Sequence, residues 1–208
     1  MKVMNAKEIG GDPIRNEISS IFVDGFYKWI KFFSKDKEVL KKAFAHMFNP
    51  DAFYVAILDD QVAGFASIYN DQIKNISLDR KQLQKHLGFF MGLAAYKILK
   101  KEFEDKQYPF EMTPQMQAIE FVASNAQYRR KGVASEIIKH IIKEDHHTVF
   151  VLEVADTNTS AVSLYKKIGF KEFMKVKMKN SKQSGVDHLI YMAYQKKAST
   201  NPNGMIAP

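Results

Sequence analysis

Arg129, Arg130, Lys131 and Gly132 stand together between a short apolar run, AIEFVAS, and an amphipathic stretch, GVASEIIKHIIKED. A strand that enters a glycine-containing turn and then a helix makes a site for an anion. The first N–H groups of the helix have no partner inside it and point out of its N-terminus, where the helix dipole adds partial positive charge. Gly132 and Ala134 leave that backbone accessible, and the two arginines and the lysine add full charges. The ligand this chemistry suits is a phosphate; a solvated basic turn that happens to precede a helix has the same composition. The turn is neither a P-loop nor a dinucleotide fingerprint, because it lacks the glycine spacing of both.

The next segment narrows the choice. LEVADTNTSAVSLYKKIGF carries Asn158, Ala161, Leu164-Tyr165 and Gly169-Phe170. Together with RRKGVA it resembles the GNAT N-acetyltransferase family. That family's pyrophosphate loop, Gln/Arg-x-x-Gly-x-Gly/Ala, is matched from Arg129 to Ala134, and its second signature, N-x-x-A-x-x-L-Y-x-x-x-G-F, from Asn158 to Phe170. The resemblance runs from about Ile119 to Phe173 and is looser upstream. The family often has glycine where this chain has Arg130.

The resemblance implies an α/β fold of the α+β kind, a splayed mixed sheet flanked by helices, with acyl-CoA between the strands AIEFVAS and TVFVLEVA. Acetyl-CoA would be the co-substrate. Its pyrophosphate would sit on the backbone from Arg130 through Lys131, Gly132, Val133 and Ala134 to Ser135, with Arg129 at the edge of the loop. Its pantetheine would pair with backbone groups of Val122 and Ser124, and the Val122 N–H could face the thioester oxygen. The reaction implied is direct acetyl transfer to an amine, with no metal. Tyr165 matches the tyrosine that many members use as general acid toward the CoA thiolate; packing in the core is its other reading. Asn158 matches a cofactor-binding position and is equally suited to cap the helix that follows. Some members carry a glutamate base on the first strand, which Glu120 would supply. Period-two alternation places Glu120, Val122 and Ser124 on one face, and a charge on a solvent-facing strand would look the same. Glu153 is a second candidate. A non-catalytic acyl-CoA-binding sensor or scaffold would keep the same cofactor residues.

These residues need elements to hold them. ISSIFVDGFYKWIKFF places Ile18, Ile21, Phe22, Phe26, Trp29, Ile30 and Phe33 on one helical stripe, and KEVLKKAFAHMF predicts a second helix. AFYVAILDDQVAGFASIYN predicts a hairpin turning at Asp59-Asp60. SLDRKQLQKHLGFFMGLAAYKILKKEFED predicts one long helix with Leu83, Leu87, Phe90, Leu93, Ile98 and Leu99 as its apolar set, capped by Ser77 or Asp79. That helix is expected in the core, and a substrate wall or a homodimer contact is its other use. Strand, helix, strand, helix and two further strands follow, making one domain over residues 1–198. A flexible tail is expected over 199–208.

Composition bounds the rest. The chain has 208 residues, 46% of them apolar, 16 phenylalanines and no cysteine. It is long enough for one well-filled core, and it can form no disulfide, thiolate metal site or thiol nucleophile. The N-terminal residues lack the apolar segment of a signal peptide, and LGFFMGLAAYKIL is too short to cross a bilayer. A cytoplasmic enzyme, off the membrane, is the expectation. The formal charge of +8 and pI near 9.4 favour anionic ligands, but no aromatic-basic motif of a nucleic-acid-binding sheet is present. His146-His147 reads as a solvated helix end. The acceptor would be a small-molecule or peptide amine.

Overall fold

The computed structural model describes residues 1–179 and 181–196, so the expected C-terminal tail lies outside the described residues. Among these residues seven strands form one mixed sheet: β1 (Lys2–Asn5), β2 (Phe53–Leu58), β3 (Gln61–Tyr69), β4 (Met116–Ser124), β5 (Val149–Ala155), β6 (Lys171–Lys177) and β7 (His188–Gln195). Their spatial order is β1-β2-β3-β4-β5-β7-β6. β4 and β5 run parallel; the other neighbours are antiparallel. β1 was not apparent in the sequence, because four residues are too few to show an alternation.

The β2–β3 hairpin turns at Asp59 and Asp60, with φ of 53° and 57°. Two consecutive positive φ values belong to the turn type whose twist matches that of the flanking strands. Among the described residues, six α-helices of eight residues or more pack around the sheet: α1 (Gly11–Ile30), α2 (Lys37–Phe44), α3 (Arg80–Leu87), α4 (Phe89–Leu99), α5 (Val133–Glu144) and α6 (Thr159–Ile168). α5 buries Val133, Ile137, Ile138, Ile141 and Ile142, a 3.6-period stripe facing the sheet.

Two sequence expectations are corrected. The single long helix over residues 77–105 is two, broken at Gly88, whose φ of +81° no helix can contain. α3 and α4 fold back on each other, so closely that a Cβ on Gly92 would lie 2.4 Å from the Gln84 Cα. Leu83 and Leu99 enter the core, but Phe90 is 85% exposed. On α1, Trp29 is 52% exposed, while Ile18, Ile21, Phe22 and Ile30 are buried as the stripe predicts.

The consequence for function is the connection between β3 and β4. These neighbours are joined not by a tight turn but by residues 70–115, which carry α3, α4 and a widened turn at Lys100–Glu104. The sheet itself opens beside it. β4 and β5 pair only from Met116↔Val149 to Ile119↔Leu152. Beyond that point β4 continues against β3 alone and β5 against β7 alone, so the edge of β4 from Glu120 to Ser124 faces a gap.

Candidate active site

The gap begins at a break in the pleat. Ser67 on β3 pairs with Glu120 and Phe65 with Ala123, so three steps on β4 oppose two on β3. The extra residue makes a bulge. Phe121 carries the distortion with φ of +49°, a conformation that costs a bulky side chain of order 1–3 kcal/mol. What holds it there is aromatic packing: its ring lies edge-on to Phe103 at 5.1 Å and to Phe22 at 5.9 Å, with Phe26 at 6.4 Å. Such pairs each contribute about 0.5–1.5 kcal/mol beyond area burial, enough to offset the strain. The bulge also overturns the alternation expected on this strand. Glu120 is in phase with Ala123, so Val122 and Ser124 do not share its face. Phe121 and Val122 have no register partner on β3 or β5.

Glu120 is not a solvent-facing charge. Its side chain is 10% exposed and every partner is polar. Lys106 Nζ donates to Oε1 at 3.0 Å, Asn75 Nδ2 donates to Oε2 at 2.8 Å, and the Tyr108 hydroxyl makes a short hydrogen bond to Oε1. Asn75 also donates to Ser67 Oγ at 2.9 Å, and that hydroxyl donates to the Glu120 carbonyl at 3.1 Å. Glu153 stands on β5 one residue past the last β4–β5 pair, as Glu120 does on β4. Lys106 bridges the two, with Nζ 3.4 Å from Glu153 Oε2, and the Tyr191 hydroxyl donates to the same oxygen at 2.8 Å. The splay thus holds two carboxylates on neighbouring strands with one ammonium between them.

The environment decides the protonation of the donors. Burial disfavours charge on Lys106, but the Glu120 and Glu153 carboxylates outweigh it and hold its pKa above the ordinary lysine value. Burial and then the Glu120 charge push the Tyr108 hydroxyl well above the usual phenol range. Burial and then Glu153 do the same to Tyr191. All three are held as hydrogen donors. Sequence reasoning did not find Lys106, Tyr108, Asn75 or Tyr191. The one signal was the alternation of Lys106, Tyr108 and Phe110 in KQYPF, which puts three side chains on one side of an extended segment.

The basic turn has the shape its sequence implies. Arg130 lies at φ +63° and Gly132 at φ +81°. The Arg130 value explains why glycine is at ease there and why this chain carries strain instead. Gly132 precedes α5 with no side-chain cap. The first bond of the helix runs from Glu136 N to Gly132 O, which leaves the N–H groups of Val133, Ala134 and Ser135 without an intrahelical acceptor. A Cβ added to Gly132 would meet nothing within 4 Å, so the space above the helix end is open. Arg129, Arg130 and Lys131 are exposed around it. These features fit a diphosphate. β3 approaches from beneath: a Cβ on Gly64 would lie 2.6 Å from the Ala123 carbonyl oxygen and 2.7 Å from Val133 Cγ1. The absent side chain lets the end of β4 and the start of α5 sit together.

Asn158 caps α6, its Oδ1 accepting from Ala161 N at 3.2 Å. Tyr165, on α6, is 6% exposed with Phe170 at 6.1 Å. Burial raises its hydroxyl to about 12, well above the ordinary phenol value of about 10. It shares no hydrogen bond or ring contact with the Glu120 group, so the structure joins Glu120 to Glu153 and leaves Tyr165 separate. At the end of α5 the solvated pair is also corrected. His146 is exposed, but His147 is buried with its Nδ1 2.5 Å from Asp145 Oδ1. Asp145, His146 and His147 are the group of ligating side chains whose donor atoms lie within 4.8 Å of one another among the described residues. No helix among the described residues is long and apolar enough to cross a membrane.

Comparison with known proteins agrees with this geometry. Residues 15–170 match the acetyltransferase (GNAT) family. An N-acetyltransferase from Staphylococcus aureus Mu50 superposes with a TM-score of 0.62 at 18% identity, over 93% of this chain and all of that one. A ribosomal-protein-alanine N-acetyltransferase from Brucella melitensis gives 0.57 at 14% identity, over 94% and 100%. A GNAT-family acetyltransferase from Bacillus cereus gives 0.56 at 12%, over 94% and 97%. No curated protein matches the sequence.

Proposed function

The chain belongs to the GNAT acetyltransferase family and is an acetyltransferase, and from that premise we propose that it moves the acetyl group of acetyl-CoA directly onto the nitrogen of an amine, a small molecule or a peptide, in the splay between β4 and β5. The observation that carries this reading is the juxtaposition at that splay. A glycine-opened helix end suited to a diphosphate lies at one side of the β4 edge, and a buried carboxylate lies at the bulge on the same strand.

Acetyl-CoA supplies the activated acyl group. In this reading Arg129 to Ser135 hold its pyrophosphate. The open edge of β4 at Val122 and Ser124 receives the pantetheine, and the Val122 N–H, in the register jump, points toward the thioester oxygen. Asn158 keeps α6 in place as well as facing the cofactor. An alkylammonium has a pKa near that of lysine, about 10, and must lose a proton before it attacks. Glu120 takes that proton directly or through water, and Glu153 is the next candidate. Attack forms the C–N bond and breaks the C–S bond; Tyr165 returns a proton to the leaving thiolate. A thiol has an ordinary pKa of about 8.5, so a phenol near 12 is a weak donor to it, and Tyr165 acts by hydrogen-bonding the departing sulfur and passing its proton as charge develops there. The absence of cysteine supports direct transfer rather than a cysteine-bound acyl enzyme. It also suits the cytoplasmic location included in this reading.

The deciding experiment is acetyl transfer from labelled acetyl-CoA to a broad amine and peptide panel by the wild type and Glu120→Gln. General base help is worth roughly a hundredfold to ten-thousandfold. Glu120→Gln is expected to lose turnover in that range while keeping acetyl-CoA affinity. Full turnover in the variant would remove Glu120 from the chemistry. Acetyl-CoA binding with no acceptor anywhere in the panel would favour a sensor or scaffold instead.

A further inference from the structure

Lys106 occupies an unusual place. It comes from the long β3–β4 connection, outside both signature segments, yet its ammonium lies between the two carboxylates at the opening of the sheet, 3.0 Å from Glu120 and 3.4 Å from Glu153. A run of aromatic rings leads from that point toward solvent. Tyr108 is 5.2 Å from Phe110, Phe110 is 5.5 Å from Tyr191 and 5.1 Å from Phe173, and Phe173 is 45% exposed. Aromatic faces attract cations, and the run ends on carboxylates. Formally, two carboxylates against one ammonium leave a single negative charge. Asn75, Ser67, Tyr108 and Tyr191 contribute hydrogen bonds but no compensating charge.

We propose that Lys106 is a specificity-determining residue: by cancelling one of two carboxylate charges at the splay, it sets the acceptor end to take an amine with one positive charge, carried on the reacting nitrogen and attached to an apolar or aromatic neighbour. The inference rests on the amine-acetylation reading above. With Lys106 in place, an acceptor ammonium brings the group to neutrality. A second positive charge on the same acceptor finds no free carboxylate in the group and meets the Lys106 ammonium at short range. Charge–charge interactions at such distances, at the effective dielectric of a partly buried site, change binding by on the order of tenfold or more per unit charge.

A lysine that merely ties β4 to β5 would leave acceptor preference unchanged, so preference is the readout. The probes are n-butylamine, a monocation, and 1,4-diaminobutane, a dication, with kcat/KM measured for each at saturating acetyl-CoA. Lys106→Met keeps the unbranched stem and leaves two uncancelled carboxylates. It is expected to shift the diamine-to-monoamine ratio toward the diamine by about tenfold or more. Glu153→Gln leaves one carboxylate against one ammonium and is expected to shift the ratio the other way. Lys106→Arg keeps the charge and is expected to hold the wild-type ratio. Opposite shifts from Lys106→Met and Glu153→Gln cannot come from a common folding defect; if Lys106→Met yields no folded protein, the Glu153→Gln shift decides alone. A ratio unmoved in the folded variants overturns the inference and leaves amine acetylation standing. Acetylation of neither probe by wild-type protein with acetyl-CoA bound removes alkylamine acetylation and this inference with it.

Discussion

Two glycines permit a controlled separation of stability from cofactor binding. Gly64 on β3 faces the junction of β4 and α5. A Cβ there would sit 2.6 Å from the Ala123 carbonyl oxygen, 2.7 Å from Val133 Cγ1 and 3.1 Å from the Ser124 Cα. Two of these neighbours are backbone, and the third belongs to the first residue of α5, so none can rotate aside at low cost. Gly92 on α4 is equally confined, 2.4 Å from the Gln84 Cα and 2.5 Å from its nitrogen, but its neighbours belong to α3. Overpacking of this kind costs about 1–3 kcal/mol, which for a chain of this size lowers Tm by about 2–12 °C. Both Gly64→Ala and Gly92→Ala are expected to show that loss in thermal unfolding. Only Gly64→Ala forces apart the β4 edge and the helix end. It alone is expected to weaken acetyl-CoA, by about tenfold, equal to about 1.4 kcal/mol, in calorimetric titration of folded protein. The reasoning fails if Gly64→Ala loses stability but binds acetyl-CoA as the wild type does, or if Gly92→Ala weakens the cofactor to the same extent.

The remaining predictions concern the phosphate loop and the tyrosine. Gly132→Val places a β-branched side chain at φ +81°, at a cost of order 1–3 kcal/mol, and projects it into open space above α5; acetyl-CoA affinity by calorimetry is expected to fall sharply, and an unchanged Kd would show that the cofactor does not use this helix end. Tyr165→Phe is expected to lower turnover by roughly a hundredfold or more with acetyl-CoA affinity intact, and wild-type turnover would make Tyr165 a packing residue. The same variant carries a linkage test. The folded hydroxyl titrates near 12 and the unfolded one near 10, so above pH 10 the unfolded chain binds fewer protons and wild-type stability falls. From pH 9 to 11 the wild type should lose about 1.4 kcal/mol relative to Tyr165→Phe in denaturant unfolding, and a flat difference would contradict the burial of the hydroxyl.

What the sequence revealed and what it hid follow one physical distinction. Features set by neighbours along the chain were legible: the Asp59-Asp60 turn, the Asp79 cap of α3, the Asn158 cap of α6 and the apolar stripe of α5 are specified within a few residues. The open turn at Gly132 is of the same kind. Features set by contacts between distant segments were not. The bulge at Phe121 depends on Phe22, Phe26 and Phe103, and strict alternation along β4 misplaced Val122 and Ser124 relative to Glu120 for that reason. The break at Gly88 was hidden because apolar residues continue past it with nearly helical spacing. Lys106 carries no local mark of its role, since a lysine fourteen residues before Glu120 is ordinary until the segment folds back across the splay.

The two kinds of feature divide the molecule by task. In the proposed reading the motif-bearing strand–turn–helix units hold a diphosphate with backbone groups, and backbone geometry can be written locally. Glu120 is different, because its position depends on elements outside those units. α1 supplies Phe22 and Phe26 behind the bulge. The β3–β4 connection supplies Phe103 behind it and Asn75, Lys106 and Tyr108 on the carboxylate itself. A shift of that connection would change the strain at Phe121 and the charge beside Glu120 together. In the proposed reaction, cofactor binding is thereby insulated from changes that retune the acceptor end. Substitutions between residues 70 and 115 should alter which amine is acetylated before they alter acetyl-CoA affinity, whereas those between 129 and 135 should do the reverse.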